Sequence, residues 1–245
     1  MSDEKDPTIE DILQQRHMNI ADLESSDTNT VREILFLINP VEISRLCVTS
    51  QKFNRICTDH SFWRMKVKRD YGIEKKYGAT WKETAINMYK VNMINLNKEW
   101  INGSTYAEIV KEALEQKDTF EYLKILQAEY HLGFDVDWKS IWNGKIYPND
   151  YMIEQIEYQL ERKLTNEEIE TSERAFTSEF AIIYSAFFEV YGSYVIPLWR
   201  QKYLRGMFQL DEKLAPILQQ FIDVYPYIML FSSLSNVELN RIQNY

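Results

Sequence analysis

The chain has 245 residues, with 28 Lys and Arg against 37 Asp and Glu, for a formal net charge of −9. Its 45% apolar and 14% aromatic content is ample for a core, while 7 Gly and 6 Pro are too few for a collagen-like, linker-like or turn-rich all-β chain. The longest apolar runs fall short of the ~18 residues a membrane helix needs. The polar, acidic start also does not read as a secretory signal, so neither a membrane-spanning nor an exported protein is expected.

Charge is unevenly placed. Residues 1–30 hold eight acids and two bases (−6), 31–100 hold seven and thirteen (+6), and 101–245 hold twenty-two and thirteen (−9). This divides the chain into a basic module between acidic segments and disfavours nucleic-acid binding by the whole. Residues 1–27 read as a mostly flexible acidic tail, in which Ile9, Ile12, Leu13, Ile20 and Leu23 could mark short amphipathic turns.

Helix-start chemistry follows. Capping-box pairs, a hydroxyl followed three residues later by an acid, occur at Thr30–Glu33, Thr80–Glu83, Thr105–Glu108, Thr165–Glu168 and Ser235–Glu238. Val31, Ile34, Leu35, Leu37 and Ile38 have helical spacing and stop at Asn39-Pro40, where the next helix begins. That helix carries Ile43, Leu46 and Cys47; the following one carries Phe53, Ile56 and Cys57. Asp59 restarts the chain towards Phe62, Trp63, Met65 and Val67, and Gly72 is a helix stop. A further helix runs from Thr80 to Met93, and Asn95 to Ser104 reads as a boundary near 100. Beyond it the pattern predicts helices over 105–117, 119–131, 149–163, 166–191, 194–208, 211–223 and 235–243, with 132–148 irregular or extended. The aromatics Phe176, Phe180, Tyr184, Phe187, Phe188 and Tyr191 form a helical stripe expected in a core, and 224–231 is the next apolar block. The fold class is therefore mainly α.

Residues 30–63, TVREILFLINPVEISRLCVTSQKFNRICTDHSFW, resemble an F-box, the short helical module that docks on a Skp-family adaptor of a cullin ubiquitin ligase. The resemblance is carried by Ile34-Leu35, Leu37-Ile38, Pro40, Glu42-Ile43, Leu46-Cys47-Val48, Lys52-Phe53, Ile56 and the Asp59–Trp63 spacing. Ser26-Asp27 stands where many F-boxes open with Leu-Pro, and Ser50 and Phe53 stand where Cys and Trp are frequent. Residues 63–72 and 75–85 are similar to F-box-like proteins encoded by large DNA viruses.

The resemblance implies an N-terminal F-box-like helical module over 28–70, a helical connector over 71–100, and an α-helical C-terminal domain over 101–245 that holds a target. It implies a non-catalytic substrate receptor in the cytoplasm or nucleus, of the host cell if viral. Its partners would be a Skp-family adaptor, through it a cullin, and an unknown target protein. The residues expected to face the adaptor or support that interface are Ile34, Leu35, Ile38, Pro40, Ile43, Leu46, Val48 and Phe53. The alternative is a scaffold protein in which the same residues are internal core.

Other chemistry is weak. Cys47, Cys57 and His60 form C-x9-C-x2-H, one ligand short of a zinc site, and read as buried, reduced thiols. No P-loop, GxGxxG or GxSxG occurs, so no cofactor, metal or catalytic residue is expected. The basic residues Arg64, Lys66, Lys68, Arg69, Lys75 and Lys76, interleaved with aromatics, read as a solvated helix face before a nucleic-acid patch.

Overall fold

Polar side chains cut the first ninety residues into short helices, each started by a group that satisfies otherwise unpaired amides. A computed structural model gives the protein's structure and describes residues 7–116, 118–130, 150–192 and 223–234. The chain is mainly helical, and the described residues contain no β-strand apart from an isolated Glu99–Thr105 bridge. Two compact units meet between Asn92 and Met93 in the sequence. This division precedes the boundary read near 100 because the intervening residues bond within the second unit. Ala107 N–H donates to the Leu96 carbonyl (2.8 Å), and Leu96 and Trp100 are buried.

The first unit contains α1 (Ile9–Gln15), α2 (Ile20–Ser25), α3 (Thr28–Phe36), α4 (Pro40–Leu46), α5 (Gln51–Thr58), α6 (His60–Tyr71) and α7 (Trp81–Lys90). The stretch read as a mostly flexible tail is thus helical over much of its described length. Thr8 and Asp11 form a capping box on α1, Asn19 and Asp22 another on α2, and Leu13 and Leu23 are buried. Asp27, rather than Thr30, caps α3; its carboxylate accepts from the Asn29 and Thr30 amides, so Thr30 lies inside the helix. Asn39 caps α4 with Pro40 at its first turn, Ser50 caps α5, and Asp59 both ends α5 and caps α6. Gly72 takes the left-handed conformation (φ 70°) that closes α6, returning its N–H to the Lys68 carbonyl. Thr80 caps α7, but Glu83 accepts from Ala79 N–H rather than completing a box. The core includes Val31, Ile34, Leu35, Phe53, Phe62, Trp63 and Val67.

The second unit contains α8 (Tyr106–Glu115), α9 (Thr119–Ala128), α10 (Asp150–Leu160), α11 (Asn166–Ala175), α12 (Ser178–Phe187) with a π-helical turn over Phe188–Gly192, and α13 (Tyr225–Ser232). The capping boxes at Thr105–Glu108 and Thr165–Glu168 form as the sequence predicts. The single helix expected over 166–191 is broken instead. Phe176 leaves helical geometry, and Thr177 starts α12 by accepting the Phe180 amide. The stripe divides accordingly, with Phe180 and Phe187 buried and Phe188 exposed. Helix α13 packs on α12 and falls on the 224–231 block, where an apolar run shows no helical period. The predicted irregular 132–148, the helix over 194–208, nearly all of that over 211–223, and the Ser235–Glu238 helix lie outside the described residues.

Candidate functional site

The F-box-like segment occupies α3, α4, α5 and the start of α6. Its apolar pattern is largely consumed inside the unit. Ile34, Leu35, Ile38, Ile43, Leu46 and Phe53 are buried hydrophobic residues, and Pro40 is buried at the first turn of α4. Of the expected interface residues only Val48, in the turn between α4 and α5, projects outward, at 84% exposed. Leu37, just past α3, is 40% exposed, and Met65 on α6 also faces out. Periodicity marks which residues share a helix face but not whether that face meets the chain or a partner. It therefore grouped Ile34 and Leu35 correctly and missed the exposure of Leu37 and Met65.

The Asp59–Trp63 spacing closes this segment as a latch. The Trp63 indole N–H donates to the Cys57 carbonyl at the end of α5 (2.8 Å). The Asp59 carboxylate accepts from Ser61 N–H (2.8 Å) and pairs with Arg32 of α3. These bonds, the Ser61 contacts foremost, hold the Asp59 carboxyl below its usual range. Phe36 stacks on Phe62 (5.0 Å between ring centroids), and Phe62 meets Trp63 edge-on (5.3 Å), tying α3 to α6.

Two sequence expectations are corrected here. Cys47 and Cys57 are joined in a disulfide rather than standing as reduced thiols. Residues at the end of α4 and within α5 bring their Cα atoms to 5.9 Å, inside the range a disulfide spans. Neither sulfur is then available as a zinc ligand, and no group of three metal-ligating side chains comes together among the described residues. The second correction is Lys66, which is not part of a solvated basic face. It is 3% exposed, its ammonium donating to the Phe36 carbonyl at the end of α3 (2.8 Å) and pairing with Asp70 (2.6 Å). A cation at a helix C-terminus meets the negative end of the dipole, which suits this position. Burial pushes the Asp70 carboxyl up, against the pull of Lys66. Four others of the set are engaged locally: Arg69 lies over Phe36, Lys75 over Tyr77, Lys68 pairs with Glu74, and the Lys76 ammonium donates to the Ala79 carbonyl (2.9 Å).

In the second unit Trp100 stacks on Phe180 (4.7 Å) and meets Tyr130 edge-on (5.3 Å). The Tyr106 hydroxyl bonds Thr177 Oγ1 (2.7 Å), and Gln127 Nε2 donates to the Ala175 carbonyl (3.0 Å). Burial pushes the Tyr106 phenol up to about 12, and it raises Tyr184 too. Glu179 is half-buried; burial opposes its ionisation, but Lys98 holds it below the usual carboxylate range. Large apolar side chains nevertheless face outward here: Ile125 on α9, Tyr158 and Leu160 on α10, Phe188 after α12, and Leu230 on α13. No described helix is long and apolar enough to cross a membrane. No family model matches the chain, and neither a curated protein nor a solved structure matches it.

Proposed function

We propose that the chain is a non-catalytic substrate receptor whose first unit docks a Skp-family adaptor, and through it a cullin, while the second unit holds a target protein. The supporting observation is the α3–α4–α5–α6 succession. Its breaks fall at Asn39-Pro40, Ser50 and Asp59, within the F-box-like stretch 30–63, and Val48 stands out from the turn between α4 and α5. In this role the protein does no chemistry and needs no cofactor or metal; it raises the local concentration of a target beside a ligase. Phe188 and Leu230, at the end of α12 and on α13, are the outward apolar groups best suited to the target-binding face. A cytoplasmic or nuclear location, of the host cell if viral, belongs to the same reading; the Cys47–Cys57 disulfide, a bond rare in those compartments, counts against it.

A second reading has its own support. The burial of Ile34, Leu35, Ile38, Pro40, Ile43, Leu46 and Phe53 favours a scaffold whose F-box-like helices are core and meet no adaptor. A pull-down with purified Skp-family adaptor separates the two. Asp substitutions at Leu35 and Pro40 would disrupt the core, so the informative variant is Leu37→Asp with Val48→Asp, checked for retained helix by circular dichroism. The receptor reading expects capture by the wild type and loss of capture by the folded variant. No capture of the wild type at tens of micromolar would leave the scaffold reading.

A further inference from the structure

Residues 8–26 cross the unit that carries the F-box-like helices and are tied to it at both ends. Near the start, Ile9 N–H donates to the Glu42 carboxylate on α4 (3.1 Å). Near the end, the Lys52 ammonium on α5 donates to the main-chain carbonyls of Glu24 (2.8 Å) and Ser26. Between these ties Ile9, Ile12, Leu13 and Leu23 are buried, whereas Glu10, Asp11, Asp22 and Glu24 are exposed. The segment is therefore a pair of amphipathic helices, apolar towards the unit and acidic towards solvent. The rest of the same unit, 31–92, holds six acids and twelve bases, a balance of +6.

Helices α1 and α2, of 7 and 6 residues, are too short to persist in water by themselves. Their order depends on being docked, so their detachment is a local opening of the unit. Lys52 binds carbonyls rather than a side chain, so its grip is independent of the segment's sequence and is lost once the backbone moves away.

We propose that residues 8–26 are an intramolecular cover over part of the adaptor-docking face of α3–α5, the part that Leu37 and Val48 leave closed, displaced when the adaptor binds. This rests on the receptor reading above. The partner element that takes the place of the cover has the cover's own chemistry: an amphipathic helix with an apolar stripe and an acidic polar face. The cover lowers apparent affinity by the fraction of molecules in which it is closed.

The test is a calorimetric titration of purified Skp-family adaptor into the full chain, comparing wild type with Lys52→Met and with Ile12→Asp. Lys52→Met removes the clasp at a partly exposed position and preserves the core; Ile12→Asp releases the segment from its apolar side. Both are expected to bind about tenfold more tightly than wild type, as for a closed state populated roughly nine times in ten. Limited proteolysis within 8–26 should be slow in the free wild type and fast in its adaptor complex. Equal affinities for wild type and Lys52→Met, with the segment still protected in the complex, would overturn the cover while leaving the receptor reading intact. No binding by any of the three folded proteins would overturn both.

Discussion

The two units spend their apolar residues differently. In the first, the segment that most resembles a docking motif turns its apolar side chains inward. Ile34, Leu35, Ile43 and Phe53 are buried, and little beyond Leu37, Val48 and Met65 is left outside. In the second, which carries no recognisable motif, Ile125, Tyr158, Leu160, Phe188 and Leu230 face outward around a core built on Phe180, Phe187 and Ile183. With residues 8–26 docked, the outward apolar surface of this unit thus reduces to the few side chains that the core does not need. Among the described residues the stretch without a motif has the larger outward apolar inventory, and it is there that the receptor reading proposes a target-binding face.

Core truncation should give the largest effect and shows whether each unit has its own centre. Trp63 is nearly inaccessible and bonded to Cys57, and Phe180 is fully buried under Trp100. Trp63→Ala and Phe180→Ala are each expected to cost about 3–5 kcal/mol in urea denaturation. Hydrogen exchange should place the loss within 7–92 for the first variant and beyond 93 for the second. Loss spread equally over both would break the comparison.

Next is the buried cation of the first unit. Lys66→Met leaves Asp70 and the Phe36 carbonyl without their partner and is expected to cost about 3 kcal/mol. Lys66→Met combined with Asp70→Leu should recover most of that, because the stranded charge is gone. An equal cost for single and double variants would mean that the lysine stem, rather than its charge, holds α3 to α6.

Reduction of the Cys47–Cys57 disulfide comes third. The closed loop has a sequence separation of 10, and the chain-entropy model assigns it about 2–3 kcal/mol. Thermal unfolding with and without dithiothreitol should show this drop, and a Cys57→Ala variant should not respond to the reductant.

The smallest effects are in pH dependence, and they run in opposite directions in the two units. The Asp70 carboxyl is raised from 3.8, so the folded unit holds its proton more tightly than the unfolded chain. Its contribution is present below 3.8 and is lost as pH rises through the raised value. The Glu179 carboxyl is lowered from 4.5, so its contribution is present above 4.5 and is lost as pH falls through the lowered value. Denaturation midpoints between pH 3 and 6 should therefore tilt one way in Asp70→Asn and the other way in Glu179→Gln. Tilts of the same sign would contradict these environments.

Much of the first unit was legible because its helix boundaries are local chemistry. Asn39-Pro40, Asp59, Gly72 and Thr80 each act on amides or carbonyls a few residues away. The same logic found the boxes at Thr105 and Thr165. It failed where the decisive contact is distant. Lys66 is buried by Phe36 and Asp70 of the folded unit, and no charge pattern along α6 marks that. The disulfide depends on the angle at which α4 meets α5. The break at Phe176-Thr177 was hidden because the aromatic spacing runs straight through it, although Thr177 is itself a cap residue. Of the candidate site, the helices that present it could be read from sequence, but the inward or outward sense of each apolar residue could not.

The most direct test is hydrogen exchange on the full chain with and without saturating Skp-family adaptor. The receptor account predicts new protection around Leu37 and Val48, with residues 93–192 unchanged. No change anywhere in the first unit, or new protection confined to the second, would contradict it.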